Sequence, residues 1–149
     1  MIEIKTHPRG KEIYKEVRKK DIDCIIIHHT WCFTIDQCVN HWLSNSCGTH
    51  YIIERDGTIY KMVEPQWKVN HCVGMNDNAI GIDLMRGKGQ EITDEQYSSL
   101  NALVPYLAGV YDIGDIHLHQ KGLFYHCDFR KTQCPKPIKD NRVYGFAGN

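Results

Sequence analysis

The stretch Ile25-Ile26-Ile27-His28-His29-Thr30 decides the fold of this chain. Three isoleucines in a row are typical of a buried strand, because β-branched side chains pack well on a pleated sheet. Two histidines follow directly, at the point where the end of a strand can present a side chain to a cleft. We therefore predict a core strand over residues 23–28 and expect His28, at its end, to be one ligand of a metal site.

Length and composition indicate one ordinary globular domain. The chain has 149 residues, of which 42% are hydrophobic and 24% charged. Its formal net charge of zero argues against a nucleic-acid-binding protein, which normally carries a basic excess. We see no apolar run long enough to span a bilayer and no signal-peptide pattern, so we expect synthesis in the cytoplasm. Seven cysteines, an odd number without repeated CxxC pairs, indicate mostly free thiols.

Alternating strand and helix patterns predict the fold class. Helical spacing of apolar residues predicts one helix over residues 35–45 and a second after the capping box at residues 93–96. Period-two or continuous apolar runs predict further strands over residues 49–54, 59–63, 79–84, 116–118 and 123–126. This alternation favours a single-domain α/β fold with a central mixed β-sheet flanked by helices. Residues 1–22 are predicted to form a peripheral arm, with a short helix around Ile13 and Val17.

A second chemical signal lies near the end of the chain. His126 follows an apolar run and precedes the pair Cys134-Pro135 by eight residues. With His28 these residues supply two imidazoles and one thiolate, and three protein ligands with a fourth position open are typical of a catalytic zinc site. His117 and His119 are rivals to His126, but neither has this spacing to Cys-Pro. Taken singly, a histidine is more often a surface or hydrogen-bonded residue than a metal ligand, and a cysteine is usually a small hydrophobic residue of the core.

Four motifs in the same order resemble one known family. They are Ile26–Thr30, the segment His50–Tyr60 with its Arg55-Asp56-Gly57 turn, the segment from His71 through Gly74 to Asn78–Ile82, and His126 with Cys134-Pro135. Between residues 23 and 136 the chain resembles the zinc-dependent type-2 N-acetylmuramoyl-L-alanine amidases, whose superfamily includes peptidoglycan recognition proteins and amidase-type phage lysozymes. The resemblance implies an amidase domain over residues 23–149 and Zn²⁺ held by His28, His126 and Cys134.

The resemblance also implies a reaction and a setting. The reaction is hydrolysis of the amide between N-acetylmuramic acid and L-alanine of the stem peptide in bacterial peptidoglycan. The chain is expected to act as a monomer without a membrane anchor or a nucleic-acid partner. A phage endolysin, which reaches the cell wall through a membrane pore, is the expected source; a muropeptide-recycling amidase and an injected effector stay open.

Family positions also suggest roles for individual side chains. Asp83 projects from the polar face of its strand and is expected to be the general base. Thr132 or Lys131 is expected to stabilise the oxyanion, and which of them points inward stays open. Many relatives carry a tyrosine where this chain has Thr49, so tyrosine-assisted catalysis is in doubt. The expected substrate-binding residues are Thr49, His50, His71 and Asn78.

Two other functions fit parts of the pattern. A non-catalytic peptidoglycan-binding receptor would resemble the same family, but such receptors often lack the cysteine ligand, which is present here as Cys134. A structural zinc module would need a fourth protein ligand, for which His71, His117 and His119 are candidates. Trp31 and Trp67 suit stacking on a substrate, although packing at the rim of a cleft is the more common role.

Overall fold

The computed structural model describes residues 2–144, and its centre is a seven-stranded mixed sheet. In chain order the strands are β1 (Ile4–Thr6), β2 (Glu16–Val17), β3 (Cys24–His29), β4 (Tyr51–Ile53), β5 (Ile59–Lys61), β6 (Trp67–Lys68), β7 (Ala79–Leu84), β8 (His117–Leu118) and β9 (Gly122–Tyr125). The α-helices of this part of the chain are α1 (Ile35–Asn45) and α2 (Asp94–Val110). Short 3-10 turns cover Pro8–Glu12, His126–Asp128 and Asp140–Arg142.

The strands of the large sheet follow the order β1-β5-β4-β7-β3-β9-β8. β4 and β5 are antiparallel and are joined by the Asp56-Gly57 turn, where Gly57 has a φ of 89° that suits glycine. The other neighbours in this sheet are parallel. β2 and β6 form a separate antiparallel pair. The predicted single-domain mixed α/β fold is therefore confirmed.

The two faces of the sheet pack against different helices. Ile25 and Ile27 of β3 join the core beneath α2, with Leu100 and Leu103 of that helix. On the opposite face, Val39 of α1 belongs to a second apolar cluster. All these side chains are fully buried, so the central strands are covered on both sides, as parallel sheets generally are. Among residues 2–144 no helix combines the length and apolarity needed to cross a bilayer.

Most predicted elements form close to their predicted bounds. The helix over 35–45 and the strand over 79–84 have the predicted ends, and Thr34 caps α1 by accepting a hydrogen bond from the Gln37 N–H at 3.1 Å. Thr93 and Gln96 form the predicted capping box of α2. The strands predicted over 49–54 and 59–63 are shorter, at Tyr51–Ile53 and Ile59–Lys61.

The helix predicted around Ile13 and Val17 is wrong. Ile13 is buried at the end of the first 3-10 turn, whereas Val17 lies in β2 and is exposed. The backbone at Gly10 passes so close to Met62 that a Cβ there would lie 1.9 Å from the Met62 carbonyl oxygen. Extended pairing with β5 and β6 thus replaces the local helix, and β1 becomes an edge strand of the large sheet.

Candidate metal centre and active-site cleft

Three neighbouring parallel strands, β7, β3 and β9, bring the predicted chemistry to one edge of the sheet. His28 on β3 is the direct register partner of Asp83 on β7. β9 ends at Tyr125, so His126 follows at the same edge. Parallel strands end on the same side, where α/β proteins commonly bind their ligands. Residues that are far apart in the chain therefore meet in one place.

The predicted metal ligands converge. His28, His126 and Cys134 each offer a ligand atom, and these atoms all lie within 4.8 Å of one another. The rings of His28 and His126 are 4.7 Å apart between centroids. Two imidazole nitrogens and one sulfur form a donor set that suits zinc, so the residues present fit this ion.

Cys134 lies in a pocket that does not by itself favour a thiolate. Burial raises its pKa to about 12, although the His29 backbone N–H donates a hydrogen bond to Sγ at 3.2 Å and acts in the opposite direction. The neighbouring His28 and His126 rings are neutral, because burial lowers the pKa of both. A cation bound by these residues would hold this sulfur in its ionised, ligating form.

His71 fixes the proton position on His28. The Nε2 atom of His71 lies 3.4 Å from the Ala79 carbonyl oxygen, which only accepts hydrogen bonds, so Nε2 carries the proton of this neutral ring. The Nδ1 atom of His71 then accepts from His28 Nε2 at 2.9 Å. We infer that His28 is protonated at Nε2 and presents a free lone pair at Nδ1. Burial lowers the pKa of His71 to about 3, which keeps this arrangement neutral.

Asp83 is a buried carboxyl group on the wall of the same cleft. Its side chain is only 6% exposed, and burial raises its pKa from 3.8 to about 7, while a hydrogen bond with Thr49 acts in the opposite direction. Thr49 itself is fully buried beneath it and does not line the cleft. A carboxyl group with a pKa near neutrality can exchange protons at the pH of most cells.

The main cleft has a volume of about 510 Å³. His28, His126, Cys134, Asp83 and Thr132 all line it. The Thr132 hydroxyl oxygen accepts a hydrogen bond from the Cys134 backbone N–H at 3.2 Å, which leaves its own proton free to donate. By contrast, the exposed Lys131 does not line this cleft.

Like Thr49, two more of the four predicted substrate-binding residues do not line the cleft, so only His71 does. His50 is fully buried: Nδ1 accepts from the Gly81 N–H at 3.0 Å, and Nε2 donates to the Trp67 carbonyl oxygen at 2.8 Å. Asn78 lies just before β7, at the opposite end of that strand from Asp83, and donates to Asp23 Oδ1 at 2.8 Å. Neither side chain lines the cleft, and the hydrogen bonds of both join separate segments of the fold.

The rival histidines are also separate from the metal cluster. His119 lies between two carboxylates, with Nδ1 2.8 Å from Asp128 Oδ2 and Nε2 2.8 Å from Asp140 Oδ2. Partial burial opposes a higher pKa for His119, but these two hydrogen bonds outweigh it and raise the pKa. His117 is exposed on β8. The fourth-ligand candidate His71 contacts the cluster only through His28.

Sequence reasoning missed several residues of the cleft. Arg130 and Asn70 line it, and so do His41 and Asn76. Arg130 lies four residues after His126 in the closing motif, so its position in the chain was a usable signal. The other three come from α1 and from the loop before β7, whose approach to the metal cluster is a tertiary contact without a sequence pattern.

Comparison with known proteins identifies a family. The sequence profile of the family described as N-acetylmuramoyl-L-alanine amidase matches residues 18–137. None of the curated protein sequences matches the chain significantly.

Solved structures share the fold. N-acetylmuramoyl-L-alanine amidase LysC from Clostridium intestinale URNW superposes with a TM-score of 0.76 and 25% identity, over 97% of this chain and 96% of that one. Endolysine N-acetylmuramoyl-L-alanine amidase LysCS, from the same organism, has a TM-score of 0.70 and 28% identity, over 91% and 88%. The Drosophila Peptidoglycan Recognition Protein (PGRP)-SA has a TM-score of 0.65 at 15% identity, over 89% and 85%, and shows likeness of fold alone.

Proposed function

Because the chain belongs to the N-acetylmuramoyl-L-alanine amidase family, we propose that it is a zinc-dependent hydrolase of bacterial peptidoglycan. The bond it cuts is the amide between N-acetylmuramic acid and L-alanine of the stem peptide. The observation that carries this proposal is the convergence of His28, His126 and Cys134 to within 4.8 Å. Three ligands leave a fourth position for water or substrate, which distinguishes a catalytic zinc site from a closed structural one.

Asp83 is the proposed general base. A bound zinc ion would make water a better nucleophile at neutral pH and would polarise the scissile carbonyl. The Asp83 carboxylate takes the proton from the attacking water and returns it to the leaving amine. Its pKa of about 7 suits both directions of this transfer.

Thr132 is the proposed donor to the oxyanion. It lines the cleft beside Cys134, and its hydroxyl proton is not used by the hydrogen bond that the oxygen accepts from the Cys134 N–H. Both residues are exposed, but only Thr132 lines the cleft, which favours Thr132 over Lys131. Of the other expected substrate contacts, His71 lines the cleft, whereas Thr49 acts through Asp83, whose pKa it lowers.

Digestion of purified peptidoglycan tests the proposal. We expect mass spectrometry to find free stem peptides that begin with L-alanine, and we expect a zinc chelator to abolish their release. Cys134→Ala should reduce release to background, because it removes a metal ligand. Cys127→Ala is the matched control, since this exposed cysteine lies outside the cluster and its variant should keep full activity.

The outcomes separate the proposal from its alternatives. A non-catalytic receptor would bind peptidoglycan and release nothing. A structural zinc module would bind the metal but would neither bind peptidoglycan nor release stem peptides from it. Products cut between the sugars would contradict the proposed bond. The setting we propose is that of a small monomeric endolysin acting on the cell wall, and one of the similar structures is described as an endolysin.

A further inference from the structure

A second cleft, of about 420 Å³, lies beside the candidate metal centre. Cys134 and Thr132 line both clefts, and Arg86 and Lys136 line only the second. The second cleft therefore lies directly beside the candidate metal centre, within reach of a substrate bound there. None of the roles assigned above uses this space.

Arg86 is a buried cation without an anionic partner. It is 6% exposed, and among residues 2–144 it makes no ion pair. Glu91 attracts it only from a longer distance, and Arg55 repels it. Burying a charge without pairing it is costly, so a partner supplied from outside the chain would explain why an arginine lies here.

The guanidinium group is held in place with its Nη2 nitrogen unused. Its Nε atom donates to the Gln90 carbonyl oxygen at 2.8 Å, and Nη1 donates to the Lys136 carbonyl oxygen at 3.3 Å and lies 3.4 Å from His29 Nδ1. Nη2 has no hydrogen-bond partner in the described part of the chain. Because the other contacts fix the plane of the group, its free donors are preorganised for an acceptor in the cleft.

Contacts with Trp31 and Thr30 also hold Arg86 in place. Trp31 lies 4.9 Å from the guanidinium carbon, measured to the ring centroid, and covers one face of the group. Trp31 has a φ of 60°, a conformation that non-glycine residues adopt rarely and that is common at functional sites. The Arg86 backbone N–H donates to the Thr30 hydroxyl at 3.2 Å, which ties the end of β7 to the end of β3.

We propose that the second cleft binds a free carboxylate of the substrate through Arg86. The free Nη2 nitrogen offers two N–H donors to a carboxylate, and Lys136, a second cationic residue, lines the same cleft. This proposal rests on the proposed function, which identifies the substrate as peptidoglycan. It narrows the substrate class to N-acetylmuramoyl peptides that carry a free carboxylate near the scissile amide.

Amidated substrates test this proposal. The probes are synthetic N-acetylmuramoyl stem peptides in which one carboxylate at a time is replaced by a primary amide, compared with the peptide whose carboxylates are all free. For the wild-type protein, one of these replacements should lower kcat/KM at least about ten-fold, as the loss of a charge-assisted hydrogen bond does. In Arg86→Gln, the same replacement should change kcat/KM by less than about two-fold, because the discriminating charge is gone.

Lys88→Gln is the matched control for charge. Lys88 is exposed in the same loop and lines neither cleft, so its variant should discriminate as the wild type does. Arg86→Lys keeps the charge and loses the planar fork, and it should discriminate less than the wild type. Wild-type rates that are equal on all probes would overturn the carboxylate proposal while leaving the hydrolase intact. Absence of cleavage of every probe would overturn the proposed function itself.

Discussion

At the scale of single residues, Asp83 combines a cost in stability with a role in chemistry. Its carboxyl group is buried, and its pKa is raised from 3.8 to about 7. Between these two pH values the folded protein holds a proton that the unfolded chain has released. Stability is therefore lost as the pH rises through this window, and above pH 7 the fold contains a buried carboxylate.

Asp83→Asn should separate these two effects. In the metal-free protein at pH 8, we expect the free energy of unfolding to rise by up to roughly 4 kcal/mol, since the buried charge is gone. The gain should vanish near pH 4, and urea titrations at the two pH values would measure it. The same variant should lower kcat by about 10²-fold or more if Asp83 is the base. Asp21→Asn, at an exposed position, should change neither quantity.

Residue chemistry was predictable where it followed a local pattern. The spacing from His126 to Cys134 and the alternation along Ile80–Leu84 identified side chains that do meet at one edge of the sheet. No sequence pattern identified Arg86, because its proposed role depends on its burial without a carboxylate partner, which only the folded structure shows. The burial of His50 was not predictable either, since the motif is the same whether its histidine faces the cleft or the core.

At the scale of elements, Arg18 links the beginning of the chain to the loop before β7. Its guanidinium donates to the carbonyl oxygens of Pro65, Asn76, Asp77 and Ala79 at 2.7–3.1 Å. This loop also carries His71, which orients His28. The position of His28, a proposed metal ligand, therefore depends in part on a side chain outside the large sheet.

Removal of this side chain should destabilise the fold. We expect Arg18→Gln to lower the free energy of unfolding by about 3 kcal/mol, because carbonyl groups in a partly buried site lose their donor. Chemical denaturation at pH 7.5 would measure the change. Lys20→Gln removes the same charge at an exposed position nearby and should have almost no effect. Equal stabilities of the two variants would contradict the linking role of Arg18.

Elements with strong local signals were predictable, and those that depend on a partner were not. The caps at Thr34 and Thr93 gave the starts of α1 and α2 from sequence alone. β1 and β2 are only three and two residues long, and they exist because β5 and β6 offer open edges for pairing. The spacing of Ile13 and Val17 therefore suggested a helix that this pairing excludes.

At the scale of the whole molecule, buried histidines should make the metal-free protein sensitive to acid. Burial lowers the pKa of five of them: His28, His29, His50, His71 and His126. The value is about 4 for His29 and about 3 for His71. Below pH 6.5 the unfolded chain binds protons that the folded protein cannot, so stability is lost as the pH falls. His119 and Asp83 act in the opposite direction, because the pKa of each is raised, but the five histidines outnumber them.

We expect the free energy of unfolding to fall steeply between pH 6.5 and pH 4.5. Each such histidine contributes up to about 1.4 kcal/mol per pH unit within its window. Urea unfolding at several pH values in the presence of a chelator would measure the slope. A stability that stays constant over this range would show that these rings do accept protons in the folded state.

Zinc should raise the thermal stability of the whole molecule. A ligand that binds only the folded state at a thousand times its Kd contributes about 4 kcal/mol. We therefore expect zinc to raise Tm for the wild type and for Cys127→Ala, and to leave Cys134→Ala nearly unchanged. Differential scanning calorimetry at pH 7.5 would measure these shifts, and an equal response of all three proteins would place the metal elsewhere.

The pairing of β3 with β9 joins the early part of the chain to its late part. His28 emerges from the ribosome about a hundred residues before His126 and Cys134, so a nascent chain holds one ligand long before the others exist. The proposed hydrolytic centre cannot assemble until nearly all of these residues have been translated. Premature termination upstream of Cys134 therefore leaves a product without a complete centre.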